Sequence, residues 1–559
     1  RFENMNITEL ASFTLVFLAF VAFAGKRLMT YMHVLQQEDY DNKRLFSWMR
    51  QHGAFDKRIT LGLVLLGVLI GVVRIAGYED LLPQFFVNFL MFILFVMGAY
   101  VEIDPRKNSK KKLVATTRAK RIFFPAFIIA ALSAVPFFVG GHPFLWILNV
   151  QLLPFMLIFV NIVLQPFEDA VQAGYWKEAH EKVLDYQPKV IGITGSYGKT
   201  SIKHILGHIL KTQASTLITP GSVNTPMGIT RIIREELEPD HQYLIAEMGA
   251  YGPGSIARLC KLTPPDVGVI ASIGHAHYER FRSLDTVAHA KYELAEAVIA
   301  KNPDEGRVIV HERTLRFAHA RQIKSAHPEN FIVVGEAQSP QKSAKDVSYI
   351  QTEDLQIQKI EQRPRGLSVT FEYNNVIYSP EVSIYGIHHG HNIALAFATA
   401  LELGISSGDI QDALASVPQI QHRLEVKRQA DGTVLIDDAY NSNPIGFQSA
   451  LGLLETLGGS KARKILITPG MVELGVAHNE AHEKIGQSAG EVCDICLVVN
   501  GARIPSFIKG FKSTGASKTL MEFDSFKEAQ AWYVKNKQDG DVLLIENDLP
   551  DMYERIPKM

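Results

Sequence analysis

Cysteine is scarce in this chain, which has 559 residues and three cysteines, Cys260, Cys493 and Cys496. So few cysteines exclude a disulfide-stapled fold and suit a reducing cytoplasm. Cys493 and Cys496 form a C-x-x-C pair, but the run around them, Val492–Val499, is apolar and typical of a buried strand. Neither a second cysteine pair nor a histidine cluster follows at zinc-binding spacing, so no zinc or redox function is predicted.

The sequence also has almost no net charge, no internal repeat and no low-complexity tract. The 57 Lys and Arg residues nearly balance the 58 Asp and Glu residues, which gives a net charge of −1. No nucleic acid partner is predicted. The balance hides an uneven distribution, because apolar residues dominate the first third of the chain.

The first 165 residues contain five apolar segments of about 20 residues each. They are Ile7–Gly25, Ile59–Gly77, Leu81–Ile103, Ile122–Gly141 and Pro143–Val163. Each is long enough to cross a hydrocarbon core of ~30 Å as a helix. Buried core helices are the alternative, but segments with almost no polar face favour a membrane. Because no basic region precedes the first segment and no small-residue cleavage site follows it, a cleaved signal peptide is not expected.

The two long loops between these segments are basic. Lys26–Arg58 carries seven Lys and Arg residues and Arg106–Arg121 carries eight, whereas Tyr78–Asp80 and the turn at His142 carry none. Positively charged loops stay in the cytoplasm. The N-terminus is therefore predicted outside and everything after Val163 inside. This makes the chain a multi-pass protein of the cell (cytoplasmic) membrane, in contact with membrane lipids.

From Asp185 onward, short apolar runs alternate with helical patterns. This alternation predicts an α/β fold with parallel sheets covered by helices. The stretch Glu312–Ser383 instead predicts an antiparallel insertion, and a second α/β unit is predicted to start near Arg423. The predicted domains are an all-α transmembrane region over 1–165, a central domain over 166–420 and a C-terminal domain over 421–559.

A glycine-containing turn follows the first strand, in Val190-Ile-Gly-Ile-Thr-Gly-Ser-Tyr-Gly-Lys-Thr-Ser201. Its glycines let backbone N–H groups approach phosphates, and the N-terminus of the next helix favours their charge. Lys199 can reach the β- and γ-phosphates, and the hydroxyl of Thr200 or Ser201 can hold Mg²⁺. The spacing departs from G-x-x-x-x-G-K-[ST], because Ile193 stands at the first glycine position. A plain strand–turn–helix is the alternative, and we interpret the stretch as an ATP site.

Four further segments place polar residues after apolar runs or within a helix. They are Ile245–Gly249, Ser272–Glu279, Ala290–Glu293 and Leu435–Pro444. Polar residues at strand ends are where open α/β sheets build their sites. The carboxylate of Glu247 could bind Mg²⁺, with a solvated loop glutamate as the alternative. Lys291 could equally be a solvated helical charge, and the last segment could simply cap a helix.

Together these segments resemble the Mur ligase family, most closely its MurF branch. Thr194–Ser201 is similar to the family's P-loop, and Asn224–Gly228 is similar to its Asn-containing loop. Ile273–Phe281 is similar to the family's N-I-G-x-A-H-L-E-x-F, and Ala290–Glu293 to the segment that bears a carbamylated lysine. The remaining matches are Gly390-His-Asn392 with the H-N motif, His422–Glu425 with G-R-[LM]-E and Asp437–Pro444 with D-D-S-Y-N-A-N-P.

The resemblance implies a P-loop central domain, a Rossmann-like C-terminal domain and an ATP-dependent, ADP-forming ligase. Such an enzyme activates a carboxylate as an acyl phosphate for attack by an amine. Thr200 and Glu247 would hold one Mg²⁺ ion, and His277 and carbamylated Lys291 would hold a second. Lys199, Lys291 and His277 are the implied catalytic residues. The residues implied to bind ATP are Gly195, Ser196, Tyr197, Gly198, Lys199, Thr200, Ser201, Asn392, Arg423, Asp438 and Asn441.

The chain also departs from the family pattern. Membrane helices stand in place of the N-terminal domain that binds the UDP-sugar. His311-Glu-Arg replaces an Asn/Asp-rich turn, and Pro469–Gly475 lacks the Asp of G-D-M-x-E-L-G. Leu544–Pro550 stands where MurF enzymes tend to carry K-G-S-R. These departures concern recognition of the amine and of the acceptor rather than the phosphate and metal apparatus.

The function favoured by the sequence is a membrane-anchored, MurF-like ligase with cytoplasmic ligase domains. It would add D-alanyl-D-alanine, or a similar amino acid or dipeptide amine, to a UDP-linked or lipid-linked cell-wall precursor. The alternative is a related ligase that makes another polymer, such as poly-γ-glutamate or a peptide on a surface glycan. A non-catalytic ATP-binding scaffold is the third hypothesis, and it would require a decayed site.

Overall fold

The computed structural model describes residues 7–51, 53–78, 83–102, 104–106, 112–140, 143–274, 281, 283–337, 354–440, 442–472, 474–515 and 518–547. The chain forms two compact units, which divide between Val171 and Gln172.

Helices make up the described part of the first unit. They are α1 (Ile7–Gln37), α2 (Asn42–Gln51), α3 (Arg58–Ile75), α4 (Gln84–Val101), α5 (Thr117–Gly140) and the part of α6 (Pro143–Tyr186) up to Val171. All except α2 are long and apolar enough to cross a membrane, by length and composition. Each of these five overlaps one of the predicted apolar segments. The short α2 was not predicted, and it buries Leu45, Trp48 and Met49.

Aromatic side chains pack at the centre of the first unit. The rings of Phe20, Phe95 and Trp146 have centroids 5.0 to 5.4 Å apart. Large apolar side chains also cover the outside, where Leu61 and Leu65 of α3 are 59% and 62% exposed. Water disfavours so much exposed apolar surface, whereas lipid does not.

The second unit begins with a large mixed sheet. Its strands are β1 (Lys189–Thr194), β2 (Thr216–Ile218), β3 (Tyr243–Glu247), β4 (Val267–Ile270), β5 (Arg307–His311), β6 (Phe331–Glu336), β7 (Leu355–Arg363), β8 (Gly366–Tyr373), β9 (Val376–Tyr378) and β10 (Glu381–Val382). The order is β10-β8-β7-β6-β5-β4-β1-β3-β2, with β9 paired to β8. Strands β1 to β7 pair with one another in parallel, and β8, β9 and β10 add antiparallel pairs.

The predicted antiparallel insertion therefore begins later than expected, because β6 still pairs in parallel. The helices that accompany this sheet are α7 (Lys199–Lys211), α8 (Pro226–Glu236), α9 (Ser255–Leu262), α10 (Leu284–Lys301), α11 (Ala318–Ala326), α12 (His389–Glu402) and α13 (Ser407–Ala415).

A second, smaller sheet follows. Its strands are β11 (Glu425–Arg428), β12 (Val434–Asp438), β13 (Lys464–Thr468), β14 (Ile495–Val499), β15 (Thr519–Phe523) and β16 (Val542–Glu546), in the order β11-β12-β16-β13-β14-β15. Only β11 pairs antiparallel among these described strands. The helices are α14 (Pro444–Gly458), α15 (His478–Val492), α16 (Pro505–Lys512) and α17 (Phe526–Asn536). The predicted α/β fold class is confirmed. The cysteines at 493 and 496 are free and buried, but only Cys496 lies in a strand, because Val492 ends α15, Cys493 caps it and β14 begins at Ile495.

Strand β1 lies between β3 and β4 in the large sheet. The register pairs Ile193 with Glu247 and Thr194 with Ile270. Since parallel strands end at the same edge, the loops after these three strands meet there. This edge carries the predicted phosphate-binding turn.

Candidate nucleotide and metal site

The turn after β1 has the backbone geometry of a phosphate-binding loop. Gly198 has a φ of +85°, in the left-handed region that favours glycine. A Cβ atom at this position would lie 2.5 Å from Oδ1 of Asn392. Helix α7 begins at the next residue, Lys199, so its unpaired N–H groups face the turn. The turn therefore offers backbone donors to an anion.

This loop is held in shape by hydrogen bonds to the end of β4. The N–H of Ser196 donates to the carbonyl of Ser272 at 2.7 Å, and the N–H of Tyr197 donates to Oγ of Ser272 at 2.9 Å. Oγ of Ser196 donates to the Gly274 carbonyl at 3.1 Å and accepts from the Gly274 N–H at 2.9 Å. The loop is therefore held by hydrogen bonds within the protein itself.

Lys199 folds back over the loop. Its Nζ donates to the carbonyl of Gly195 at 2.8 Å. Burial lowers the pKa of Lys199, an effect that the carboxylate of Glu247 opposes and the charge of Arg423 strengthens. Arg423 lies in the segment between the two sheets, just before β11, so a residue outside the large sheet influences this ammonium group.

Glu247, at the end of β3, collects polar partners beneath the loop. Its carboxylate accepts from Oγ1 of Thr200 at 3.0 Å and from Nδ2 of Asn224 at 3.2 Å, and it pairs with Nζ of Lys203 at 2.9 Å. Burial alone would raise the pKa of Glu247, but the ammonium groups of Lys203 and Lys199 hold it below its ordinary value. The carboxylate is therefore ionised and oriented beside the P-loop hydroxyl.

Sequence reasoning missed Lys203. This side chain is only 3% exposed and also donates to the carbonyl of Gly221 at 2.6 Å. It lies four residues after Lys199 on the same face of α7, between the apolar residues Ile202 and Ile205. The position of a lysine among the apolar residues of a helix was the sequence signal that could have identified it.

Lys291 lies in the middle of α10 and is 4% exposed. No hydrogen bond or ion pair joins its Nζ to any other residue in the described part of the chain. Burial, with a smaller contribution from Lys199, lowers the pKa of Lys291 well below its ordinary value. The neighbouring Glu293 has a structural role, because it accepts from the N–H groups of Gly254 and Ala257 at 2.6 and 2.9 Å at the start of α9.

Asn392 stands in the first turn of α12, and its Nδ2 donates to Nδ1 of His389 at 3.1 Å. Because its Oδ1 is also close to Gly198, the structure brings it to the P-loop. Two other predicted residues, His277 and Asn441, lie outside the described residues.

Two histidines form a directional chain beside Asn392. The N–H of Arg313 donates to Nδ1 of His311 at 3.1 Å, so Nε2 of His311 must carry the other hydrogen of the neutral ring. Nε2 of His311 lies 3.1 Å from Nδ1 of His391, whose Nε2 lies 3.1 Å from Oε1 of Glu336. Burial lowers the pKa of His311 well below its ordinary value, which keeps this ring neutral. His311, which stands where the family has an Asn/Asp-rich turn, thus contacts His391, the residue before Asn392. The sequence did not predict this contact.

The smaller sheet contributes Asp438, at the end of β12. Its Oδ1 accepts from the N–H of Leu424 at 3.2 Å, and it pairs in register with Glu546 of β16, which accepts from Oγ of Ser442. Burial raises the pKa of Asp438 to about 6 despite the opposing charge of Arg423. Burial and the nearby Asp438 raise the pKa of Glu546 well above its ordinary value. The pair therefore favours a protonated carboxyl group.

The segment that joins the two sheets also carries charged residues. His422 has a φ of +57° and lies 2.9 Å from Oδ2 of Asp437, with Glu425 close by. Three such side chains could hold a metal ion, but Nζ of Lys427 lies 3.0 Å from Glu425 and 3.1 Å from Asp437. The ammonium group is shared between the two carboxylates, and we interpret the cluster as an ion-pair network.

Comparison with known proteins agrees with this arrangement. Residues 193–400 match the Mur ligase middle domain, and residues 422–546 match the Mur ligase, glutamate ligase domain. Among curated relatives, the UDP-N-acetylmuramoyl-tripeptide–D-alanyl-D-alanine ligase of Mycobacterium leprae is 31% identical over 58% of this chain and 64% of its own length. The enzyme of the same name from Mycobacterium bovis is 30% identical over 64% of this chain and 70% of its own length.

Solved structures give the same result. Crystal structure II of MurF from Acinetobacter baumannii has a TM-score of 0.57 and 26% identity, over 67% of this chain and 78% of that one. The MurF ligase from Thermotoga maritima, solved in complex with ADP, has a TM-score of 0.54 and 25% identity, over 67% of this chain and 80% of that one. The chain belongs to the Mur ligase family.

Proposed function

We propose that this protein is an ATP-dependent, ADP-forming ligase that joins a carboxylate to an amine. The observation that carries the proposal is the cluster of Lys199, Thr200 and Glu247 at one edge of the sheet, under a loop of backbone donors. The ADP complex of the Thermotoga maritima relative supports a nucleotide at the corresponding place. By its similarity to the MurF enzymes, the protein adds D-alanyl-D-alanine or a similar amine to a cell-wall precursor.

The reaction has two steps. First, an oxygen of the acceptor carboxylate attacks the γ-phosphorus of ATP, and the bond to the β-phosphate oxygen breaks, which releases ADP and leaves an acyl phosphate. Then the amine attacks the acyl carbon, inorganic phosphate leaves and the nitrogen loses a proton. Because the transferred group is strongly anionic, catalysis consists mainly of positioning and neutralising charge.

The P-loop residues carry out most of that neutralisation. Lys199 and the backbone N–H groups at the start of α7 bind the phosphates, since the N–H groups of Ser196 and Tyr197 already donate to Ser272. Thr200 and Glu247 would hold a Mg²⁺ ion, since a hydroxyl and a carboxylate that are 3.0 Å apart are the hard oxygen donors this ion prefers. When bound, the ion supplies positive charge to the phosphate oxygens. Lys203 and Asn224 keep the carboxylate in its orientation.

Lys291 is proposed to act after carbamylation. Its amine would attack CO₂ and lose a proton, which converts a neutral nitrogen into an anionic carbamate. The deep burial of Lys291 supports this step, because only the unprotonated amine is nucleophilic. The carbamate and His277 would then provide donors for a second Mg²⁺ ion that faces the acceptor carboxylate.

The five apolar helices support a membrane anchor. Together with the basic loops, they favour a multi-pass protein with its ligase domains in the cytoplasm, where ATP is available. The acceptor would then be either UDP-linked or lipid-linked.

The test is ADP release by the full chain in detergent, with Mg-ATP and UDP-N-acetylmuramoyl-tripeptide, with and without D-alanyl-D-alanine. Mass spectrometry should show ADP release that depends on the dipeptide and a matching mass gain. The Lys199→Ala variant should remain folded and membrane-inserted but release no ADP. Product without the dipeptide, or full activity of this variant, would refute the proposal. If the protein binds ATP but makes no product, glutamate is the next amine to test.

A further inference from the structure

A buried arginine lies among the apolar helices of the first unit. Arg27 of α1 is 2% exposed, and its Nη2 lies 2.9 Å from Oδ2 of Asp56 and 2.5 Å from Oε1 of Glu102. Its Nε also donates to Glu102, at 2.8 Å. The remaining nitrogen, Nη1, is buried and has no hydrogen-bond partner within the described residues. The hydroxyl of Tyr31 also interacts with this guanidinium group, which three neighbouring side chains therefore hold in place.

A cavity of about 150 Å³ adjoins this arginine. Arg27, Arg58 and Glu102 line one part of it, and apolar residues of α3 and α4 line the rest. Two of these apolar residues, Met97 and Val101, are 57% and 49% exposed. The cavity therefore combines a charged inner part with an apolar part that reaches the outer surface of the helices.

The charges around the cavity leave an excess of positive charge. Arg58 is exposed at the first residue of α3 and has no hydrogen bond or ion pair within the described residues. Lys26 is nearby, with its Nζ on a backbone carbonyl of α4 at 2.6 Å. Two cations, Arg27 and Arg58, and one carboxylate, Glu102, line the cavity itself. An anionic group in the cavity would offset this surplus positive charge.

The position of the cavity suits a lipid headgroup. Arg58 begins α3 and Val101 ends α4, and the basic loops place both of these helix ends at the cytoplasmic side. Phosphate groups of lipids lie at this level, and guanidinium groups bind phosphate oxygens in a paired geometry. The apolar side of the cavity, which includes Leu94 and Met97, would contact the hydrocarbon chain.

We propose that this cavity binds a phosphate ester that carries a hydrocarbon chain, with Arg27 and Arg58 contacting the phosphate. The inference rests on the proposed membrane location of these helices. It gives the membrane unit a ligand-binding role in addition to anchoring. The ligand class is the membrane phospholipids.

The test uses the full chain in detergent and native mass spectrometry. Dioleoyl phosphatidate is the probe, and dioleoylglycerol and inorganic phosphate are the two comparison ligands. We expect phosphatidate to bind at a ratio of one per chain and the other two not to bind. Arg58→Ala should weaken phosphatidate binding about tenfold or more, since it removes a charge-assisted contact.

Arg74→Ala is the matched control, because Arg74 is an exposed arginine at the other end of α3. Its phosphatidate binding should equal that of the unchanged protein. Equal loss in both variants would mean general attraction to the detergent-lipid surface and would overturn the proposal. So would equal binding of dioleoylglycerol or of inorganic phosphate. Mg-ATP binding, measured on the same preparations, tests the ligase site separately, so failure of one proposal is distinguishable from failure of the other.

Discussion

Replacing Lys203 with methionine tests whether the buried ion pair organises the metal site. Lys203 and Glu247 are 3% and 1% exposed, with Nζ and Oε2 2.9 Å apart. Methionine keeps most of the apolar stem of the lysine but removes the ammonium group. The carboxylate would then remain buried with only neutral hydrogen-bond donors, Thr200 and Asn224, and with the charge of Lys199 nearby.

Removing one partner of a buried ion pair typically costs about 3–5 kcal/mol, because the other charge is left uncompensated. We therefore expect Lys203→Met to lower the free energy of local unfolding around α7 and β3 by about this amount. Lys211→Met is the matched control, since Lys211 ends the same helix and is exposed, and surface changes usually stay within about 0.5 kcal/mol. Hydrogen exchange of the amides in α7 measures this local free energy.

A double-mutant cycle with Glu247→Gln makes the reasoning sharper. Once the carboxylate is neutral, the loss of the ammonium group should cost less, so the double variant should be more stable than the sum of the single effects by about 1–3 kcal/mol. The pKa of Glu247 is held below its ordinary value of 4.5, so the pair stabilises the protein above that pH and loses this effect as the pH falls through the lowered pKa. Unchanged exchange in Lys203→Met at pH 7, or strictly additive variants, would refute the ion-pair argument.

Two other variants test the remaining buried ionisable groups. Lys291→Ala should abolish ligation and regain part of it when a short carboxylic acid is added, because the acid replaces the proposed carbamate; full activity without rescue would remove Lys291 from the mechanism. Glu546→Gln should stabilise the smaller sheet at pH 8, by on the order of 1–3 kcal/mol, and much less at pH 4. The reason is that the pKa of Glu546 is raised well above its ordinary value, so its ionisation at high pH destabilises the folded state, whereas an amide can donate to Asp438. Thermal unfolding at the two pH values measures this difference, and equal shifts at both would contradict it.

The parts of the fold that depend on local pattern could be predicted from the sequence. The apolar segments, the strand–helix alternation and the turn before Lys199 can each be recognised from residues that are neighbours in the sequence. Asn392 was also anticipated, through its motif. Its contact with the P-loop depends on α12 packing against α7 almost two hundred residues away, which no local pattern shows.

What could not be predicted depends on pairings between distant residues. Lys203 is an ordinary helical lysine until β3 places Glu247 beside it. His311 was recognised only as a departure, because its bond to His391 requires β5 and α12 to meet. The orphaned nitrogen of Arg27 follows from the packing of α1 against the loop before α3 and against the end of α4, where its two acid partners lie.

The internal bonding of the P-loop to the end of β4 has a consequence for the thermodynamics of nucleotide binding. A loop that is already hydrogen-bonded through Ser196 and Tyr197 has lost its conformational freedom before the ligand arrives. The ordering entropy is then part of the folding free energy and not of the binding free energy. Changes in loop motion with temperature should consequently have little effect on the affinity for the nucleotide. Ordering of this loop should therefore contribute no slow phase to nucleotide binding.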